Sequence, residues 1–395
     1  MGDFDRYERL TAELDPPFAV VDLAAFRRNA ADLVRRAAGT PIRVASKSVR
    51  CRALIAEALE RPGFHGVMAY SLPEALWLAR NGVDDILMGY PTVHRAALRE
   101  LARDADAAAR ITLMVDDVEH LAYVKRAAGG GERIRVCLDV DASLRVFGQH
   151  LGVRRSPLRT PAQVVELART VVADDAFELV GVMFYEAQIA GLPDTSPAVR
   201  WVKRRSAAEL AERRGAVVDA VKQVAPLRLV NSGGTGSVEI SSADRAVTEV
   251  TAGSGLYGPT LFDKYDIFQP EHAVAYALGV VRRPTARIAT TFGGGYVASG
   301  PAKKSRLPLP SWPLGLKLLG TEGAGEVQTP VQGENARGLK IGDRVWMRYA
   351  KAGEMLERFD RLYAIDGDLG GGVGKVSGTE LTELLSYRGE GKNFG

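Results

Sequence analysis

The sequence predicts an α/β protein: a (β/α)8 TIM-type barrel with a second, mostly β, C-terminal domain. Three observations carry this. Between about residues 42 and 258, eight strand-length apolar runs alternate with amphipathic stretches. The loops after the seventh and eighth runs are rich in glycine and serine. After about residue 260, short strand-like runs are separated by loops containing Gly, Pro and Lys.

Taken in order, residues 1–22 form an N-terminal segment. Its start, Met1-Gly2-Asp3-Phe4-Asp5, is polar and acidic, so no signal peptide is expected. Phe18-Ala19-Val20-Val21-Asp22 reads as a strand. Nothing near it can pair with it, so it is expected to join the β domain. Residues 23–262 are read as the barrel, opening with a helix at 23–38. Its strands are expected at 42–46, 65–69, 85–88, 111–115, 134–139, 179–184, 228–230 and 248–251, most of them rich in Val, Ile, Leu or Met. Helices are expected at 71–80, 117–128, 161–173 and 203–224. Asp116, with Glu119 three residues on, and Thr160, with Pro161 at the first helical position, are candidate caps. A doubly wound sheet would bring fewer strands and a glycine fingerprint after the first one. Here a lysine follows the first strand instead. Residues 263–395 are read as the β domain, with strand-like runs at 275–281, 286–291, 344–347 and 362–365.

Composition narrows the function. Hydrophobic residues are 46% and charged residues 25%, ordinary for a soluble globular protein. The net charge of +4 is a small surplus with no basic run interleaved with aromatics, which argues against nucleic acid. Cys51 and Cys137 form no CxxC pattern, so a reducing, cytoplasmic setting is expected. No apolar run approaches the length of a membrane span.

Lys47 stands where the first barrel strand stops, and a lysine there can present a nucleophilic amine that holds an aldehyde cofactor as a Schiff base. After the seventh strand comes Asn231-Ser232-Gly233-Gly234-Thr235-Gly236-Ser237; after the eighth, Ala252-Gly253-Ser254-Gly255-Leu256-Tyr257-Gly258. Glycines let backbone N–H groups point at an anion, and barrels often bind phosphate at these two loops. In a closed barrel the first strand neighbours the eighth, so Lys47 shares a mouth with both. An imine-forming lysine beside a phosphate cradle is what pyridoxal 5′-phosphate needs.

Other residues fall at the same mouth. His150, after the fifth strand, could stack on a cofactor, and Arg154 or Arg155 could pair with a substrate carboxylate. Tyr185 and Glu186 end the sixth strand and could act as acid or base; a polar strand end reads equally well. Asp139 and Asp141 flank the end of the fifth strand, and Cys137 reads as core.

The segments Pro17–Asp22, Val44-Ala45-Ser46-Lys47, Val230-Asn231-Ser232-Gly233-Gly234 and Glu249-Val250-Thr251-Ala252-Gly253-Ser254 resemble the fold type III pyridoxal-phosphate enzymes. The last of these is more similar to the D-threonine aldolase and D-serine dehydratase branch than to alanine racemase. The resemblance implies Lys47 as the Schiff-base lysine and proton shuttle. It implies Ser232, Gly233, Gly234, Gly253 and Ser254 at the phosphate and Thr251 near the pyridine nitrogen, where a neutral hydroxyl makes a weaker electron sink. It also implies a homodimer. That branch holds a divalent ion with a C-terminal histidine and a nearby Asp or Cys. Here Tyr349 stands at the histidine's place, and no His or Cys follows His272, so no metal ligand is assigned. Tyr349 is then a candidate base, and Lys351 a candidate replacement for the ion's charge. The expected activity is an aldolase-type lyase on a small D-β-hydroxy amino acid, releasing or adding an aldehyde. A racemase or dehydratase on the same scaffold, and a non-catalytic cofactor-binding protein, are the alternatives.

Overall fold

The computed structural model describes residues 4–301, 303–367 and 381–395. The chain divides into two compact units, one comprising Leu33–Lys47, Ala58–Gly253 and Phe394–Gly395, the other Met1–Asp32, Ser48–Glu57 and Ser254–Asn393. The divisions fall inside the Leu23–Ala37 helix and at the end of the eighth barrel strand, not at 22/23 and 262/263. The first half of that helix is tied to its own unit, with Asn29 donating to the carbonyls of Leu256 and Glu271.

The first unit holds a closed parallel barrel. Its strands are Ile42–Ala45, Phe64–Ala69, Ile86–Met88, Ile111–Val115, Ile134–Val140, Phe177–Phe184, Leu229–Ser232 and Glu249–Ala252. All eight fall within two residues of the expected runs. Each pairs with the next in chain order, and Ala252 opposite Val44 closes the ring. Leu87, Met114, Cys137, Val180, Met183 and Leu229 form an apolar cluster on these strands. Glycine matters on the sixth strand: a Cβ at Gly181 would lie 2.2 Å from the Leu229 carbonyl oxygen.

The helices follow their caps. Ser71 accepts from Glu74 N–H ahead of Leu72–Arg80, and Thr160 with Gln163 forms a capping box on Pro161–Val172. The cap of Val118–Ala128 is Asp117, not Asp116: Asp117 Oδ1 accepts from Glu119 N–H at 2.9 Å. The Asp116 carboxylate lies 3.1 Å from His120 Nδ1 instead. The helix expected at 203–224 starts earlier and runs Pro197–Lys222, because Ser196 caps it and Pro197 takes the first position.

In the second unit, Phe18–Asp22 lies between Val274–Thr285, antiparallel, and Arg361–Ile365, parallel. Arg344–Arg348 and Ile288–Phe292 also pair with Val274–Thr285. Strands unread in the sequence complete the sheet: Leu309–Trp312, Lys317–Leu318, Gln328–Gln332 and Leu381–Leu385. An unexpected N-terminal helix, Phe4–Leu10, buries Phe4 and Tyr7 against Phe18, Val20 and Trp346.

Candidate active site

Lys47 sits in a short 3-10 turn, Ser46–Ser48, just past the buried first strand. Its Nζ donates to the Tyr90 hydroxyl at 2.6 Å. Tyr90 follows the third strand, and the Arg155 guanidinium lies 5.3 Å from its ring centroid. The same guanidinium lies 5.1 Å from the Tyr185 ring. Tyr185 in turn borders the Gly233-Gly234 turn, since a Cβ at Gly234 would come 3.5 Å from Tyr185 Cε2. Lys47, Tyr90, Arg155, Tyr185 and Gly234 thus form one continuous run at the C-terminal ends of the strands. Sequence reading missed Tyr90, although its place just past a strand is the same signal that marked Tyr185. Of the two arginines considered, Arg155 is the one between the tyrosines; both are exposed.

Electrostatics separate the two phenols. Burial alone would raise the Tyr90 hydroxyl, but Lys47 and Arg155 overcome it and leave it below its ordinary value. Burial raises Tyr185, so it is a neutral donor at neutral pH. Asp139, on the fifth strand, is 6% exposed. Burial, then the Asp116 charge, push its carboxyl up to about 7.

The glycine loop after the seventh strand closes tightly. Gly233 has φ +98°, which only glycine adopts without strain, and a Cβ at Gly234 would lie 2.9 Å from Ala190 Cβ. Arg36 braces the loop by donating to the Thr235 carbonyl at 2.6 Å. The Ser232 hydroxyl does not face the mouth as a phosphate donor. It donates to the Glu186 carboxylate at 2.9 Å and accepts from Arg214 at 2.8 Å. Glu186 is therefore bound into the loop, and its expected place as an acid or base at the mouth gives way to that role. Gly253 and Ser254 follow the eighth strand, with Gly253 buried.

Thr251 is buried on the eighth strand. Asn231 Nδ2 donates to Glu249 at 2.7 Å and to Thr251 Oγ1 at 2.8 Å, which sets the amide's orientation. Thr251 Oγ1 in turn donates to Asn231 Oδ1 at 3.2 Å, so its hydroxyl is held against the amide. Glu249 itself is matched by Arg43 at 2.8 Å. Burial would raise the Glu249 carboxyl, but Arg43, His65 and Asn231 hold it down to about 2.

Two expected residues have local partners of their own. His150 lies in the hairpin of Leu144–Val146 and Gln149–Leu151, and its Nε2 is 3.0 Å from the Val153 carbonyl of its own loop. Tyr349 belongs to the second unit, where its hydroxyl donates to Glu354 at 3.3 Å. Burial, then Glu354, push this phenol well above its ordinary value, which makes it a poor base. Its hydroxyl has one carboxylate partner, Glu354, and among the described residues no group of three His, Cys, Asp or Glu stands together to hold a metal ion.

The lysine, the tight glycine loop and the buried threonine fit pyridoxal phosphate. Residues 21–260 match the family described as alanine racemase, N-terminal domain. That is more than half of the chain, which therefore belongs to this pyridoxal-phosphate-dependent, fold type III family. Among curated proteins, the chain is similar to 3-hydroxy-D-aspartate aldolase of Paracoccus denitrificans (strain Pd 1222), 26% identical over 248 residues. The match covers 62% of this chain and 60% of that relative, so the chain spans under two thirds of the curated relatives' length. Among solved structures, D-threonine aldolase from Filomicrobium marinum has a TM-score of 0.77 at 21% identity, with 95% of each chain covered. D-threo-3-hydroxyaspartate dehydratase from Delftia sp. HT23 has a TM-score of 0.71 at 21% identity, covering 94% of this chain and 97% of that one. These likenesses bear out the expected fold, a barrel with a mostly β domain.

Proposed function

We propose that the chain is a pyridoxal-phosphate-dependent lyase of the aldolase type, cleaving a small D-β-hydroxy amino acid between Cα and Cβ. The observation that carries this is the Lys47–Tyr90 contact of 2.6 Å beside the Gly233-Gly234 loop. The aldolase and dehydratase names of similar proteins support the choice of substrate class.

In this reading Lys47 carries the cofactor, and the Gly233-Gly234 turn, Gly253 and Ser254 border its phosphate. Thr251 meets the ring nitrogen with a neutral hydroxyl. The cofactor, when bound, supplies the electron sink for the bond that breaks. Tyr90 moves a proton to and from Lys47 Nζ, which must lose one to act as a nucleophile. Arg155 is held as a planar cation by two tyrosine rings and binds the substrate carboxylate. Tyr185, kept neutral, donates to the substrate. No proton transfer is assigned to Tyr349, and no step to a metal. A homodimer in the cytoplasm completes the reading; among the described residues no helix is long and apolar enough to cross a membrane.

The test is a screen of D- and L-β-hydroxy amino acids with aldehyde release followed by a coupled dehydrogenase, alongside borohydride trapping of the cofactor on the protein. Aldehyde and glycine from a D-substrate, with trapping at Lys47 abolished by Lys47→Ala, are expected. Trapping that survives Lys47→Ala removes the lysine assignment. Turnover that yields a keto acid or the opposite enantiomer replaces the aldolase with a dehydratase or a racemase.

A further inference from the structure

The Glu186 carboxylate is 1% exposed, and burying a charge is costly unless hydrogen bonds satisfy it. Here the loop after the seventh strand satisfies it. Oε2 accepts from the Ser232 hydroxyl at 2.9 Å and from the Gly233 N–H at 3.3 Å. Oε1 accepts from the Ser237 hydroxyl at 2.7 Å and the Ser241 hydroxyl at 2.5 Å. The Arg214 cation stands further off, 3.8 Å from Oε2, and is paired with Asp244. One carboxylate thus draws in four donors spread over ten residues of chain. Two consequences follow. The Gly233 backbone is pinned at its left-handed φ, with Gly234 packed on Ala190 and Tyr185. The hydroxyls of Ser232, Ser237 and Ser241 are turned inward, and Gly234 N–H donates to Ser237 Oγ at 3.1 Å, so the loop's shape at the mouth is set from within.

We propose that Glu186 is a positioning residue: an internal hydrogen-bonding hub on which the Ser232–Ser241 segment is folded, so that the loop is pre-shaped to take the phosphate of the cofactor. The proposal rests on the cofactor reading above. Glu186 touches neither cofactor nor substrate in it; it acts through the loop.

Pyridoxal, which lacks the phosphate, separates this role from a merely structural one. The cofactor-stripped full chain is titrated with pyridoxal 5′-phosphate and, separately, with pyridoxal, and the absorbance of the lysine-bound cofactor gives a Kd for each. Glu186→Ala is expected to weaken the phosphorylated cofactor by about tenfold or more while pyridoxal changes by less than about threefold, the scale of one lost charge-assisted hydrogen bond. Glu186→Gln retains an oxygen for Gly233 and an amide that the Ser237 and Ser241 hydroxyls can accept. It is expected to restore phosphate-dependent affinity to within about threefold of the wild type. Parallel weakening of both cofactors overturns the proposal, and so does an unchanged Kd for the phosphorylated one or a glutamine variant that rescues nothing. If Glu186→Ala does not fold, Glu186→Asp, one methylene shorter, carries the same comparison. A wild-type chain that binds both cofactors but gains nothing from the phosphate overturns the proposal and leaves Lys47 in place. A wild-type chain that forms no lysine-bound cofactor overturns the functional reading and the proposal with it.

Discussion

A lysine amine attacks a carbonyl only from its neutral form, so the proton's resting place decides how the Lys47 site works. The Tyr90 hydroxyl, at 2.6 Å, is the group the structure puts there. Its phenol lies below its ordinary value because Lys47 and Arg155 outweigh its burial, so the pair can share one proton between nitrogen and oxygen. Tyr90→Phe removes the acceptor and keeps the ring. Turnover is expected to fall by about a hundredfold, the lower end for loss of an acid–base partner. The sharper readout is the pH dependence of kcat/KM. Losing the phenol should move or abolish the limb set by the Lys47–Tyr90 pair, whereas Tyr185→Phe, which removes a hydroxyl kept neutral by burial, should lower the rate and leave the limbs where they are. An unchanged profile in Tyr90→Phe would take this residue out of the proton path.

At the scale of elements, the barrel strands were legible because most are short apolar runs ended by a polar residue or a glycine, and their order in space is their order in the chain. The two glycine loops were legible for the same reason: their places follow from counting strands. The direction in which a hydroxyl points was not legible. Ser232 looks like an anion donor until Glu186, on a loop 46 residues earlier, is found to hold it. The Phe4–Leu10 helix escaped because seven residues are too few to show a period, and Leu309–Trp312 because prolines flank and interrupt it. Among the glycines of the loop, Gly234 has an ordinary extended backbone, and its constraint is close approach alone. Gly234→Ala therefore puts a methyl 2.9 Å from Ala190 Cβ and forces the loop outward. Affinity for pyridoxal 5′-phosphate should drop by about tenfold, the scale of a modest overpacking penalty. The double variant Ala190→Gly/Gly234→Ala returns the space, and recovery of affinity in that double variant is the check. If the double variant binds no better than Gly234→Ala, packing against Ala190 is not what Gly234 is for.

Over the whole molecule, two buried carboxylates on the barrel strands set stability against pH in opposite directions. Glu249 is held at about 2 against an ordinary 4.5, with Arg43 as its main support against burial. Its contribution is present above pH 4.5 and is lost as pH falls through about 2. Asp139 is raised to about 7 from 3.8, by burial first and the Asp116 charge second. Between those values the unfolded chain gives up a proton that the folded chain keeps, so the folded state loses ground as pH rises and the penalty is complete above about 7. The shift corresponds to a penalty on the order of 4 kcal/mol at most. Taken as a pair, these two groups favour the folded state most near pH 4 to 5, between the two limbs. His120, raised by its contact with Asp116, adds to the alkaline decline, so the wild-type curve alone does not isolate Asp139. Asp139→Asn does. The amide is neutral at every pH, and Asp116, Asp141, Arg155 and His120 are left as they were. Thermal melts between pH 4 and pH 8 should show the Tm gap between variant and wild type widening in favour of the variant as pH rises, by a few degrees at pH 8. Parallel curves would mean that Asp139 ionises in the folded protein as easily as in the unfolded chain, and the fifth strand would then present a charged carboxylate at neutral pH.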